Sequence, residues 1–203
     1  SAAKLCILQC SRFACCPRRN GAYSSGMSET GTAPFTIFLV RHANAAWPQP
    51  GMLDFDRKLD ERGRAEAHTV ADRMAARSFQ PDHVICSPAA RCVETLDILK
   101  DRFDRDPGIR FEERLYTDGS DTYLELIAAH AANAPASVMI IGHNPMMEET
   151  SHALLANMGE SLETILGYDF PTAGLLALES LPEDRPAIAG HGRFIELLSP
   201  RER

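Results

Sequence analysis

From Pro34 onward, short apolar runs alternate with longer stretches whose apolar residues recur at helical spacing. Phe35-Thr36-Ile37-Phe38-Leu39-Val40 is nearly continuous and rich in β-branched and aromatic residues, as expected of a strand buried on both faces of a parallel sheet. It stops at Arg41-His42, and a Pro/Gly-containing loop runs through Gly51. Residues 61–77 place Ala65, Val70 and Met74 at helical spacing, and residues 83–86 form a second strand. Ser87-Pro88 then reads as a Ser cap with Pro at the first helical position, opening a helix that carries Val93, Leu96 and Leu99. A short strand near residues 109–111 precedes a helix over about 121–132, for which Asp121 is a candidate cap. Residues 137–141 form a third clear strand, running into Gly142-His143-Asn144-Pro145, an Asn cap followed by Pro. Residues 175–178 and 194–198 close the pattern as strands. Alternating strands and helices predict an α/β fold: a three-layer sandwich with a mostly parallel sheet and helices on both faces.

The length of 203 residues fits one compact domain with an appendage. Of the 21 basic residues, four (Lys4, Arg12, Arg18 and Arg19) lie in the first 26 residues, which hold no acid; the remainder carries 17 against 28 acids. Cysteine breaks at the same place, with Cys6, Cys10, Cys15 and Cys16 in the leader and only Cys86 and Cys92 in the body. Residues 1–33 are therefore read as a disordered leader and residues 34–203 as the domain. Residues 1–26 are read as sequence upstream of a start at Met27, with a transit segment as the alternative; Leu5-Cys6-Ile7-Leu8 is too short for an export signal. The leader cysteines match no standard zinc spacing, and the two in the body are read as apolar filler of a reducing, cytoplasmic protein. A net charge of −7 disfavours nucleic acid as a partner, and no apolar stretch approaches the ~20 residues that span a bilayer.

The candidate chemistry lies at strand ends. In open α/β sheets ligands bind outside the carboxyl ends of the strands, and three such ends here carry Arg41-His42, Ser87 to Arg91, and Gly142-His143. Cations gathered there repel one another unless an anion sits among them. Two arginines suit the oxygens of a phosphoryl group, a neutral imidazole can attack phosphorus, and a protonated second histidine can stabilise the developing charge. Walker loops, paired-Asp motifs and H-E-x-x-H spacing are absent from the sequence, so a metal-dependent route has little support.

These pieces, together with Asp56-Arg57-Lys58-Leu59-Asp60-Glu61-Arg62-Gly63, Leu115-Tyr116 and Leu197-Leu198-Ser199-Pro200-Arg201, resemble the histidine phosphatase superfamily, known for its Arg-His-Gly signature and phosphoglycerate mutase-like fold. Within it the chain is most similar to the small phosphohistidine phosphatase branch. The ordered set Arg41-His42, S-P-x-x-R-x-x-x-T and G-H-N-P carries the resemblance, over about residues 34–202. It implies His42 as nucleophile, Arg41 and Arg91 as phosphate clamps, His143 as the second histidine, and neither metal nor organic cofactor.

Two departures stand out. Ala43 replaces the signature Gly, which would cost about 1 kcal/mol if that position required φ > 0. No Glu stands clearly in the place of the usual general acid; Asp118 and Asp121 are the candidates. Because imidazole leaves phosphohistidine with less help than an alkoxide needs, the expected substrate is phosphohistidine on a signalling protein. A small phosphate ester is the alternative substrate, and a phosphate-binding module without turnover is the alternative of another class.

Overall fold

The computed structural model of the protein describes residues 34–132, 136–158, 167, 169–181 and 189–201. The readings made for the leader lie outside the described residues. Among the described residues six strands form one sheet: β1 (Phe35–Arg41), β2 (His83–Cys86), β3 (Gly108–Phe111), β4 (Ser137–Gly142), β5 (Leu175–Ser180) and β6 (Arg193–Leu198), in the order β3-β2-β4-β1-β5-β6. The first four run parallel, whereas β5 is antiparallel to both β1 and β6, so the sheet is mixed and its parallel half carries the strand ends singled out above.

Strand alternation divides the core into two layers. Phe35, Ile37 and Leu39 of β1 pack with Val138 and Ile140 of β4 against Tyr123, Leu126 and Ile127 of α4 (Ser120–Ala132) and Met147 and Leu154 of α5 (Met146–Leu154). Phe38 and Val40 pack with Met139 and Ile141 on the other face. There they meet Val70, Ala71 and Met74 of α1 (Glu61–Ala76) and Cys92, Leu96 and Leu99 of α2 (Ala90–Lys100). The apolar run of β1 is thus explained: both of its faces are covered by helices, giving the three-layer α/β sandwich.

Helix starts depart from the local rules. Asp60 caps α1 as a carboxylate should, accepting from the Gly63 N–H at 2.6 Å. α2 begins at Ala90 rather than after Ser87, and α5 begins at Met146 with Pro145, not Asn144, in the cap position. The Asn144 amide instead donates to Glu148 (3.3 Å) and Asp169 (2.7 Å). Asp121 lies inside the first turn of α4 rather than capping it. A four-residue helix, α3 (Arg114–Thr117), stands between β3 and α4 where no periodicity could announce it.

Candidate active site

β1 and β4 pair in parallel with Arg41 opposite Gly142, so the next residue of each strand, His42 and His143, emerges on the same side of the sheet end. The His42 N–H donates to the Gly142 carbonyl at 3.0 Å, and the two imidazole centroids stand 5.2 Å apart. Gly142 is required at this spot, since a Cβ there would come within 2.5 Å of the Tyr123 hydroxyl. Gly63 is required similarly: a Cβ would sit 2.0 Å from the Asn44 carbonyl, in the segment that leaves His42. Ala43 has no positive φ and is fully buried, so the absent signature glycine carries no backbone strain here. Its N–H donates to Thr95 Oγ1 (3.1 Å), and the same hydroxyl donates to the Arg91 carbonyl (2.7 Å), tying the His42 segment to α2. Ala173 does adopt a left-handed backbone, φ 54, and from there its N–H donates to the His42 carbonyl at 3.2 Å.

His42 Nδ1 lies 2.8 Å from the Ala43 carbonyl, which can only accept, so Nδ1 carries the proton and Nε2 holds the lone pair. Arg91 Nε donates to that Nε2 at 3.2 Å. Burial, reinforced by the charges of Arg91, Arg41 and Arg57, lowers the His42 pKa to about 4, so the ring is neutral near pH 7. His143 is 5% exposed; its Nε2 is 2.8 Å from Ser87 Oγ and 3.5 Å from Cys92 Sγ. Burial, with His42 and Arg91 nearby, lowers its pKa to about 3. The expectation of a protonated second histidine therefore fails for the protein by itself, because burial, with His42 and Arg91 beside the ring, disfavours a further cation. Cys86 and Cys92 are buried thiols pushed upward, Cys92 to about 12, consistent with apolar filler.

Arg91, 7% exposed, lies in the first turn of α2 with its guanidinium 5.9 Å from the centre of the Tyr116 ring, whose edge meets His143. Arg41 Nη1 pairs with Asp169 at 3.0 Å and also donates to the Phe170 carbonyl, while its buried Nε has no acceptor among the described residues. The structure thus brings His42, Arg91 and His143 together, with Arg41 at the same strand end and its charge felt by His42. It does not bring the two candidate acids to them: Asp118 accepts from the hydroxyls of Thr117 (2.8 Å) and Thr122 (3.1 Å), Asp121 is exposed, and neither makes a hydrogen bond to any of the four. Two other carboxylates do reach the cluster: Asp169, paired with Arg41, and Asp54, on a single 3-10 turn (Asp54–Asp56), bound by Arg57 (2.9 Å), Arg91 (2.9 Å) and Tyr116 (3.2 Å). Arg57 foremost, then Arg91 and the Tyr116 hydroxyl, hold the Asp54 carboxyl at about 2. Asp54 gives no signal through periodicity, since its segment has none, and Arg57 stands only within the run that carries the family resemblance; the Asp-Phe-Asp-Arg run is the signal available. Among the described residues no group of three His, Cys, Asp or Glu side chains could hold a metal ion.

A neutral, oriented imidazole among arginines is an arrangement that can accept a phosphoryl group. The comparisons agree with that class. Residues 37–198 match the model of the histidine phosphatase superfamily (branch 1), and the chain belongs to that superfamily. An uncharacterised protein of Mycobacterium tuberculosis is 30% identical over 159 residues, 77% of this chain and 92% of that protein. A solved structure from Agrobacterium tumefaciens, provisionally described as the phosphohistidine phosphatase SixA, is 40% identical with a TM-score of 0.73, over 82% of this chain and 99% of the other. A protein histidine phosphatase SixA solved with tungstate shares the fold, at 20% identity and a TM-score of 0.66, over 82% and 97%. Membership in this superfamily supports a phosphatase acting on a phosphorylated substrate.

Proposed function

We propose that the protein removes phosphate from phosphohistidine on a signalling protein, through a phosphohistidine intermediate on His42 and without a metal. The observation that carries this reading is the neutral His42 with Nδ1 protonated against Ala43 and Nε2 turned toward Arg91. Its Nε2 lone pair leaves the Arg91 Nε–H and attacks phosphorus, the bond from phosphorus to the substrate nitrogen breaks, and the leaving imidazole departs with the proton that its other nitrogen carries. Water then attacks the phosphorus carried on Nε2, that bond breaks, and inorganic phosphate leaves with His42 restored. Arg91 and Arg41 neutralise the equatorial oxygens, and the Arg41 Nε, buried without an acceptor among the described residues, gains one from the phosphoryl group. Negative charge on the phosphoryl oxygens raises the pKa of His143, which then donates to them.

The choice of a P–N bond rests on the acid. Asp118 and Asp121 make no hydrogen bond to the histidines, and Asp54 is held charged, so none of these three carboxyl groups stands ready to protonate an alkoxide. A protein substrate is favoured by the segment beside the site, where Trp47 is 85% and Leu53 69% exposed. A cytoplasmic location belongs to the same reading, since free, buried Cys86 and Cys92 suit a reducing compartment. The test is incubation with a labelled phosphohistidine protein beside a panel of alkyl and aryl phosphates, all with strong chelator. Release from the phosphoprotein is expected. Efficient turnover of an unactivated alkyl phosphate with the phosphoprotein untouched would point to a small-ester phosphatase instead, and dependence on added divalent metal would remove the mechanism.

A further inference from the structure

Every nitrogen of Arg91 is engaged from within the chain. Nε donates to His42 Nε2, Nη1 to the Asp54 carbonyl at 2.7 Å, and Nη2 to Asp54 Oδ2 at 2.9 Å. Arg57 Nη1 holds the other carboxylate oxygen, Oδ1, at 2.9 Å. Asp54 therefore presents to Arg91 part of what a phosphoryl group would present: an anionic oxygen on the same guanidinium that touches His42. Nη2 keeps a second N–H, but a phosphoryl oxygen placed on it would stand against the Asp54 carboxylate, and two anions so close repel.

We propose that Asp54 is an internal competitor for the phosphoryl site: the substrate's phosphoryl group must displace its carboxylate from Arg91, and return of the carboxylate helps expel product phosphate. This rests on the reading that Arg91 clamps the phosphoryl group. The segment is built for such a movement. Its ends are fixed, by the Ala46 N–H on the Lys58 carbonyl (2.9 Å), Asn44 on Asp60 (2.6 Å) and the Leu59 N–H on Glu94 (3.0 Å). Its tip is held by polar side chains rather than by packing: no residue of the 54–56 turn is buried, the Asp54 side chain is 52% exposed, and Arg57, Arg91 and Tyr116 are what hold it. The consequence is selectivity. A phosphoryl group attached to a protein draws binding energy from contacts elsewhere and can drive the exchange, whereas free phosphate has only its own oxygens with which to do so.

The test measures the dissociation constant of inorganic phosphate by calorimetry on the full chain, a readout independent of turnover. Asp54→Ala and the near-isosteric Asp54→Asn are expected to bind phosphate about tenfold tighter, the gain when a conformation blocking about nine molecules in ten is removed. Tyr116→Phe, which deletes one of the donors holding the carboxylate, should shift affinity the same way by less. Unchanged or weaker binding in both Asp54 variants, with phosphate binding lost in Arg91→Ala, overturns the proposal while leaving the clamp intact. If the Asp54 variants instead lose turnover in proportion to the basicity of the leaving group, with phosphate affinity unaltered, Asp54 is a proton donor and not a competitor. Phosphate binding unaffected by Arg91→Ala removes the clamp reading, and the proposal falls with it. Should Asp54→Ala fold poorly, Asp54→Asn decides alone.

Discussion

β1 and β4 are parallel neighbours that each deliver a histidine one residue beyond the Arg41–Gly142 pairing, yet the two side chains enter different surroundings. His42 is half-buried, has one nitrogen protonated against a carbonyl, and turns the other toward a guanidinium. His143 lies deeper, with its Nε2 between the Ser87 hydroxyl and the Cys92 thiol and its ring against Tyr116. One residue type at equivalent ends of two strands thus acquires two roles through its neighbours: a lone pair that can reach phosphorus, and a donor held behind it. The assignment depends on partners, and removing residues or partners one at a time tests it.

The largest expected effect separates the two rings themselves. His42→Ala should abolish covalent labelling by labelled substrate and lower turnover by more than about 10⁴-fold, the scale lost with a covalent nucleophile. His143→Ala should cost about 10²–10³-fold, as removal of one charge-stabilising donor does, and still form a base-stable, acid-labile phosphoenzyme. Quench-flow labelling of both variants decides between them. Label that survives in His42→Ala and vanishes in His143→Ala would exchange the roles.

The same pair of strand ends shows what can be read along the chain. The apolar runs of β1 and β4 announce themselves because both faces are covered, and the convergence of Arg41, His42, Arg91 and His143 follows from parallel strands ending together. The errors fall where the site claims a side chain that local rules assign to a helix. Ser87 reads as a cap, but its hydroxyl faces His143 and α2 starts at Ala90. Asn144 reads as a cap, but its amide serves Glu148 and Asp169. Asp54 is illegible for a different reason. Only tertiary folding sets Asp54 against Arg91, 37 residues later in the chain, and a segment without periodicity gives no sign of it.

Acid should weaken the protein through both rings. Each pKa lies below the ordinary 6.5 in the folded protein, at about 4 for His42 and about 3 for His143, so below pH 6.5 the unfolded chain binds protons more readily than the folded one. The stabilisation is complete above pH 6.5 and is lost as pH falls toward 4 for His42, and further toward 3 for His143. At about 1.4 kcal/mol per pH unit, His42 alone accounts for up to about 3 kcal/mol over that window. Urea unfolding at pH 7 and pH 4.5 should show the loss, with a smaller difference in His42→Ala. An NMR titration placing the His42 ring near 6.5 would contradict the environment assigned to it.

A finer distinction lies in what holds His143. Ser87 Oγ at 2.8 Å is its hydrogen-bonding side-chain oxygen, so Ser87→Ala should disorient the ring without deleting it. A hydrogen bond of this kind contributes about 0.5–1.5 kcal/mol, which converts to a loss of roughly 2- to 10-fold in turnover. Labelling of His42 should persist, because Ser87 makes no contact with that ring. A loss as deep as that of His143→Ala would mean that Ser87 itself touches the reacting group.

The smallest effect tests whether the comparison extends beyond the two rings to the rim around them. Trp47 and Leu53 are strongly exposed on the segment that also carries Asp54. If that rim receives a protein, replacing both by Ser should raise KM for a phosphohistidine protein a few-fold, on the order of 1 kcal/mol for partial burial of two apolar side chains. Both histidines keep their partners in that variant, so kcat and the hydrolysis of a small aryl phosphate should stay unchanged. Rim contacts that form equally in the ground state and the transition state affect binding alone, whereas the histidine variants act on kcat. An equal fall in activity toward both substrates would mean that Trp47 and Leu53 support the shape of the site, and unchanged KM for the phosphoprotein would leave the rim without a part in recognition.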